Sequence, residues 1–364
     1  MKRRRLLRWL GVAAILLVLI VTVPVIGIES SCRAPGLGTR VLPTGQFGIT
    51  DAGYARATTN SVLSYPEWYI VYAYQDFAAV LSTGDEHRFR YLTSVEDYWT
   101  GFCAVNRVAA THGGSEADEK VMLYVIGLSF TAEMAIKGAY ETTVGWLFAW
   151  LRGEHKTNED RLALAVANDY ADFLGQEPWY LYPFWDQVRR LWLDTPFDRS
   201  SPVRAAERRF ALTAEWGVKT VYAKAIGAAA GLSPADLDIE SIVGGLDETD
   251  AAADPDIVVV RLLDDGKQLI RTPRYAAFTR ILLDLSARGR PIYEIAGNDR
   301  IFATLLVPPD VAVTMPGLQP IFSDEIQSRP GWRRQGVELA VPMMSPAVAA
   351  LQARGVVVEH LYDY

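Results

Sequence analysis

The chain has 364 residues, of which 50% are hydrophobic and 22% are charged, and its formal net charge is −7 at pH 7. This length is sufficient for two ordinary domains and a membrane anchor. The negative charge excludes general affinity for nucleic acid, because phosphate binding needs clustered cations. Arg far outnumbers Lys, which is typical of GC-rich bacterial genes. We therefore expect a bacterial protein without a nucleic-acid partner.

The N-terminus consists of a basic cluster followed by an apolar run. Lys2–Arg5 and Arg8 precede Trp9–Ile28, and such a run, at about 1.5 Å per residue, can span a hydrocarbon core about 30 Å thick. A cleaved signal peptide is the alternative, but its apolar core is usually only about 7–15 residues long. The pattern predicts an uncleaved anchor over residues 1–30 in the bacterial inner membrane, with a cytoplasmic N-terminus and an exported remainder.

Residues 31–60 are rich in Gly, Pro and Thr, which predicts a tether or a segment lying along the domain surface. The two cysteines, Cys32 and Cys103, have no metal-ligand spacing, so zinc and iron–sulfur sites find no support. In an oxidising compartment they can form a disulfide. The alternative is one buried and one free thiol, because spacing alone does not show whether the two Cα atoms come close enough.

A motif of the form TAE-x3-K-x2-Y-x4-G occurs twice in the chain, beginning at Thr131 and at Thr213. Two shorter matches precede it in the same order. These matches pair Gln75-Asp76-Phe77-Ala78 with Asn168-Asp169-Tyr170-Ala171, and Tyr98-Trp99 with Phe184-Trp185. Ordered self-similarity of this kind indicates an internal repeat. We predict a duplicated helical bundle over residues 61–232, built from two three-helix units.

The segment Val121–Arg152 is long and largely apolar, so it could also be a second membrane span. Its central charges would be costly in lipid, and the second copy is clearly more polar over residues 204–209. We therefore interpret both copies as central helices of a soluble bundle. A second span is one alternative. Another is a bundle that rests on the membrane through Trp146, Phe148 and Trp150.

In each motif copy the Glu, Lys and Tyr side chains lie on one narrow stripe of the helix. The residues are Glu133, Lys137, Tyr140, Glu215, Lys219 and Tyr222. One interpretation is a solvated stripe with weak intrahelical ion pairs, and a second is a buried polar cluster that determines how the two units pack. A third is a ligand-binding or acid–base site shared by both copies. The chain contains no HExxH, G-x-G-x-x-G or P-loop motif, so we expect neither a metal nor a cofactor.

Residues 233–255 are acidic and rich in small residues, which predicts an interdomain linker. The pattern over residues 256–364 changes to strands that alternate with two helices. Their order predicts a small α/β sandwich of ferredoxin-like type, with the helices on one face of the sheet.

No motif in the sequence identifies a reaction. The combination of an anchor, a helical bundle and an α/β domain favours a single-span, membrane-anchored bacterial envelope protein. We expect this protein to bind a partner protein or an apolar, lipid-like ligand without catalysis. The alternative is an enzyme that acts at the membrane surface and uses the duplicated Glu-Lys-Tyr clusters as its site.

Overall fold

The computed structural model describes residues 22, 25–30, 32, 41–51, 53–227, 237–247, 250 and 254–364. Most of the predicted transmembrane helix lies outside these residues, and of its last part residues 25–30 are helical. The described chain has an α+β fold in which a helical region precedes two antiparallel four-stranded sheets. This confirms the coarse prediction of a helical region followed by an α+β part.

The helical region contains eight α-helices within the described residues. They are α1 Thr58–Leu63, α2 Tyr65–Thr83, α3 Tyr91–Thr111, α4 Ala117–Tyr140, α5 Trp146–Arg152, α6 Asn158–Leu174, α7 Phe184–Arg189 and α8 Pro202–Gly227. A π-helical turn at Glu141–Gly145 joins α4 to α5, and a second one at Arg190–Asp194 extends α7. Residues 117–152 therefore form one continuous helical segment.

Local sequence signals explain where several of these helices begin. Pro66 lies in the first turn of α2, where a missing backbone N–H costs nothing. Thr157 precedes α6 and forms a capping box with Asp160, and Glu116 and Glu119 form another at the start of α4. Each capping box satisfies two backbone N–H groups that the helix itself leaves without acceptors.

The C-terminal part forms two sheets. The first contains β1 Asp238–Gly244, β2 Val258–Leu262, β3 Lys267–Pro273 and β4 Ile292–Ile295, and the second contains β5 Arg300–Val307, β6 Leu318–Glu325, β7 Arg333–Ala340 and β8 Val357–Tyr362. Helix α9, Tyr275–Ala287, precedes β4, and helix α10, Met344–Gln352, precedes β8. The strand orders are β2-β3-β1-β4 and β6-β7-β5-β8, so the two sheets have the same topology.

The two sheets also repeat a local sequence that ends each helix. Leu285–Gly289 reads LSARG and Leu351–Gly355 reads LQARG. Gly289 and Gly355 have φ values of 73° and 74°, the left-handed conformation that commonly ends a helix. The expected single ferredoxin-like sandwich over residues 256–364 is therefore replaced by two βββαβ units. Strand β1 belongs to the first unit, although it lies within the segment predicted as a linker.

The helical region and the second sheet share one apolar core. The Tyr65 ring on α2 packs against Phe302, Phe322 and Tyr362, at centroid distances of 5.7, 4.6 and 6.0 Å. At the same boundary the Tyr72 hydroxyl lies 2.9 Å from that of Tyr362. The two parts are consequently packed against each other, and the boundary drawn from composition does not separate two independent cores.

The segment between the anchor and α1 runs along the first sheet. Its described residues, 41–51 and 53–57, contain neither helix nor strand. The Tyr54 hydroxyl donates to Glu294 at 2.6 Å, and Tyr54 packs with the buried Ile242. Of the two alternatives for this segment, the described part corresponds to a chain lying on the domain surface.

An acidic pair at the boundary between α3 and β6 predicts a pH-dependent stability. Burial, reinforced by Asp324 and Glu96, raises the pKa of Asp97 from 3.8 to about 7. A raised carboxyl pKa contributes stability that is complete below the unfolded value and is lost as pH rises through the folded value. We expect Asp97→Asn to raise the unfolding midpoint in urea at pH 8 and to leave it unchanged at pH 4. Asp118→Asn, at an exposed position, is the control, and equal effects of the two substitutions at pH 8 would contradict the assignment.

Candidate functional site

The structure brings the glutamates and lysines of the two motif copies together. The Nζ atom of Lys137 on α4 lies 2.7 Å from Oε1 of Glu215 on α8. Reciprocally, Nζ of Lys219 on α8 lies 2.7 Å from Oε1 of Glu133 on α4. Each lysine thus pairs with the glutamate of the other copy. The intrahelical distance between Lys219 and Glu215 is longer, at 3.7 Å, so the ion pairs connect α4 and α8 more closely than they connect turns of one helix.

The motif tyrosines also reach across to the other helix, but they contact different groups. The Tyr140 hydroxyl donates to Glu207 on α8 at 2.6 Å, and the Tyr222 hydroxyl lies 2.9 Å from that of Ser129 on α4. Their hydroxyls contact positions towards the two ends of the helix pair. The six predicted site residues therefore divide into a central group of four charges and two peripheral tyrosines.

Aromatic rings surround the two lysines. Lys137 Nζ lies 4.3 Å from the centroid of Phe77, and Lys219 Nζ lies 4.9 Å from the centroid of Tyr170. Phe77 and Tyr170 occupy equivalent places in the repeated sequence. Lys219 also donates to the Tyr74 hydroxyl at 3.0 Å, and that hydroxyl donates to Glu133. A cation over aromatic faces gains electrostatic stabilisation, which is larger when it is removed from water.

Neighbouring charges keep Glu215 and Lys219 ionised. Burial alone would raise the pKa of Glu215, but the ammonium groups of Lys137 and Lys219 lower it to about 2. Burial alone would lower the pKa of Lys219, yet Glu133 and Tyr74 raise it well above its usual value. Burial together with Glu133 raises the pKa of Tyr74 well above its usual value, so this phenol keeps its proton. None of these three groups has a pKa near neutral pH, as a general acid or base requires. Burial raises the pKa of the neighbouring Glu141 to about 7, but its carboxylate is bound to Arg208.

A second charged network lies beside the first, at the N-terminal part of α8. The guanidinium of Arg204 is 2.8 Å from Asp160 and 3.1 Å from Glu86. The guanidinium of Arg208 is 3.0 Å from Glu141 and 3.3 Å from Glu86. Both arginine side chains are only 1% exposed. A buried charge must be partnered, and these contacts connect α8 to three other parts of the helical region.

Gly145, the last position of the first motif copy, provides room for this network. A Cβ atom at Gly145 would collide with the Glu141 carboxylate, which is bound to Arg208. The equivalent Gly227 has Tyr180 as its nearest neighbour, at 3.5 Å. The glycine at the end of the motif is therefore sterically required in the first copy but not in the second.

A cavity of about 30 Å³ lies between the two networks and is lined by Lys137, Lys219, Glu215, Glu141 and Arg208 together with apolar side chains. A space of this size has room for about two water molecules. It is far smaller than the roughly 300–1,000 Å³ of typical small-molecule sites. In the described part of the chain, no group of three His, Cys, Asp or Glu side chains is placed to hold a metal ion.

The outer side of α4 and α5 has the opposite character. Between Val121 and Leu151 no exposed residue is charged. The larger exposed side chains are Val121, Met122, Val125, Ile136, Val144, Trp146, Leu147, Trp150 and Leu151. The charged residues of this stretch, Glu133, Lys137 and Glu141, are turned inward. Residues 117–152 are also the one described helical segment long and apolar enough to cross a membrane, by length and composition.

Helix α8 shows the same inside-out distribution. Its exposed residues from Pro202 to Tyr222 are all uncharged, and the larger ones are Val203, Phe210, Val218, Val221 and Tyr222. Phe210 is 69% exposed while Arg208, two residues earlier, is buried. We call the outward side chains of residues 121–151 and 202–222 the apolar face. The greater polarity of α8, which favoured a central helix of a soluble bundle over a membrane span, is therefore directed into the protein.

An open groove of about 610 Å³ crosses the apolar face where the two helices meet. Its walls are Val144 and Phe148 on one side and Val203, Ala206 and Phe210 on the other. Tyr140 and Glu207 also line it, and they are hydrogen-bonded to each other. At this groove the apolar side chains of the two helices form one continuous surface.

Several residues of the cluster were not identified from the sequence. Tyr74, Arg204 and Arg208 lie outside the repeated motif, although the two arginines share a helical stripe with Glu215 and Lys219, which a helical wheel of α8 displays. The structure also changes one match between the repeats. Trp99 donates to Thr131, and Trp192 donates to Thr213, both at 2.9 Å. In these contacts Trp192, and not Trp185, occupies the place that Trp99 has in the first copy.

Comparisons with protein-family models, curated proteins and solved structures yield no match to this chain.

Replacing Lys219 tests whether the cluster stabilises the fold. Lys219→Met leaves the partly buried Glu133 without its cation, and removing one partner of such a contact costs about 1–3 kcal/mol of the free energy of unfolding. The control is Lys224→Met on the exposed side of the same helix, where we expect a change within about 0.5 kcal/mol. Urea unfolding of the full chain in detergent measures both. Equal effects would contradict the cluster's structural role, and adding Glu133→Gln to Lys219→Met should cost less than the sum of the single changes.

Gly145 and Gly227 offer a matched pair for the second network. Gly145→Ala displaces Glu141 from Arg208, so we expect a loss of about 1–3 kcal/mol, the usual range for overpacking. Gly227→Ala meets no close neighbour and should be neutral or slightly stabilising because Ala favours helix. Thermal unfolding of the two variants distinguishes them. A neutral Gly145→Ala would show that the Glu141 carboxylate is free to move.

Proposed function

We propose that this chain is a single-span bacterial envelope protein whose extracytoplasmic part binds an apolar, lipid-like ligand or partner protein without catalysis. The observation that carries the proposal is that α4, α5 and α8 turn their charged side chains inward and expose their apolar ones. Contiguous exposed apolar surface of this extent marks a protein–protein, ligand or membrane interaction site. The charged side chains of these helices form ion pairs inside the protein and do not cover its surface.

The contacts that follow the predicted anchor support a location at the membrane. Glu29, directly after the apolar run, lies 2.8 Å from Lys120 Nζ and accepts a hydrogen bond from Tyr124 at 2.6 Å. Cys32 is joined to Cys103 on α3, with Cα atoms 5.3 Å apart. A disulfide suits an oxidising compartment outside the cytoplasm. The end of the anchor is thereby attached to the helical region, which agrees with an exported domain close to the bilayer.

We further propose that the helical region arose by duplication of a three-helix unit, with α2, α3 and α4 corresponding to α6, α7 and α8. Equivalent residues make equivalent contacts: each motif threonine binds a tryptophan, and each motif lysine covers the ring of Phe77 or Tyr170. The exchanged Glu–Lys pairs relate the two units by an approximate twofold axis. In this arrangement the cluster holds the two units together.

The alternative, a membrane-surface enzyme with the Glu-Lys-Tyr clusters as its site, has weaker support. The cavity beside the cluster has room for water only, and each lysine is paired with a carboxylate. The two tyrosines point to opposite ends of the helix pair. A catalytic role would need a substrate to displace these pairs.

Topology reporters test the proposed location. A C-terminal alkaline phosphatase fusion of the full chain should be active in a bacterial host, and a C-terminal green fluorescent protein fusion should remain dark, because only the cytoplasm supports the latter's folding. The chain should also stay in membranes washed at alkaline pH. The matched variant, Leu16→Arg with Leu19→Arg, should lose this retention because arginine is costly at the centre of a membrane span. A fluorescent fusion with an inactive phosphatase would contradict the proposal.

A further inference from the structure

The apolar face points to one particular ligand. We infer that this face lies in the headgroup–acyl boundary of the membrane in which the chain is anchored, with α4, α5 and α8 roughly parallel to the bilayer plane. The inference rests on the proposed envelope location and names the bilayer itself as the apolar ligand. Interfacial helices of this kind bury their apolar side about 5–10 Å deep while the opposite side remains polar.

The predicted anchor ends beside the start of the apolar face. The apolar run ends at Ile28, and the next residue, Glu29, is bound to Lys120 and Tyr124 in the first turns of α4. The apolar face begins immediately afterwards, at Val121. Val25 and Ile28 pack against the core of the helical region, so a chain that leaves the bilayer just before Val25 places the start of the apolar face at the membrane surface. The charged Glu29–Lys120 pair lies at the level where the anchor meets water.

The apolar face is longer than a hydrocarbon core is thick, and it lies on one side of the helical region only. From Val121 to Leu151 the uncharged face extends about 46 Å at the helical rise of about 1.5 Å per residue, which exceeds the roughly 30 Å of a hydrocarbon core. The neighbouring helices expose charges, such as Arg107 on α3 and Arg161 and Asp172 on α6. A spanning bundle would bring these charges into lipid. Helices lying in the membrane surface leave them in water.

The hydroxyl groups on the apolar face are hydrogen-bonded within the protein. Thr142 and Thr143 are exposed, and their hydroxyls donate to the carbonyl oxygens of Gly138 and Ala139, each at 2.6 Å. The hydroxyls of Tyr140 and Tyr222 are bonded to the opposite helix. Polar groups in contact with lipid must be satisfied within the protein. A surface exposed to water has no such requirement.

Exposed tryptophans contribute a further observation. Trp146 and Trp150 on α5 are 48% and 67% exposed, and Trp192 beside α8 is 53% exposed. Tryptophan is enriched where a membrane meets water, because its ring is apolar while its N–H remains a donor. The Trp192 N–H is bound to Thr213. Charged side chains appear at the borders of the face, at Asp118, Glu154 and Lys224.

Site-directed spin labelling of the full chain tests the inference. Since the two native cysteines form a disulfide, a single introduced cysteine is the one free thiol when no reductant is present. We choose Phe210→Cys and Leu147→Cys on the apolar face and Arg161→Cys on α6 as the control. The labelled chain is reconstituted in vesicles of phosphatidylethanolamine and phosphatidylglycerol, and collision with oxygen is compared with collision with a water-soluble nickel chelate. Unchanged thermal unfolding verifies that each labelled chain is folded.

The expected result is an oxygen-to-nickel collision ratio above one at Phe210→Cys and Leu147→Cys and below one at Arg161→Cys. A ratio below one at the apolar face, with the chain retained in the vesicles, would overturn the inference and leave the anchored function intact. Low collision with both reagents and spin–spin broadening would show that a second copy covers the face, which also overturns it. A chain that is not retained in vesicles would refute the proposed function itself.

Discussion

The partnering of two buried arginines is the constraint on which the arrangement of the helical region depends. Arg204 and Arg208 are removed from water, and leaving either charge without a partner would cost several kcal/mol, roughly 3–5 for a broken buried pair. Their carboxylate partners come from the turn at Glu86, from α6 and from the π-helical turn after α4. Helix α8 can satisfy these contacts only with its charged side turned inward. Its apolar side is therefore left outside.

The same orientation explains the Glu–Lys exchange. Once α8 presents its charged stripe to α4, Glu215 and Lys219 face Lys137 and Glu133. The aromatic rings around the lysines replace part of their lost hydration. The polar interior and the apolar exterior therefore both follow from this one orientation of α8. This connects the repeated motif to the surface that we propose as functional, although the motif does not itself form that surface.

Sequence reasoning predicted a large part of the fold. It identified the helical region and the C-terminal alternation of strands with two helices, because periodicity and capping residues are local signals. It assigned the C-terminal strands to one sheet, whereas β1–β4 and β5–β8 form two. Strand pairing depends on long-range contacts, which a local pattern does not contain. Because the stretch around Asp247 is acidic, the segment that forms β1 was predicted to be part of a linker. The shared core of Tyr65 with Tyr362 was equally beyond the reach of local patterns.

The sequence by itself determined that α8 is amphipathic, since its charges recur at helical spacing from Arg204 to Lys219. It also determined that the Glu-Lys-Tyr stripe occurs twice. Only the tertiary structure decided which side of each helix is buried, because a helical wheel has two sides and burial depends on what the rest of the chain supplies. Here Glu86, Asp160 and Glu141 supply carboxylates from distant positions, and ion pairing with them reverses the usual rule that apolar sides face inward.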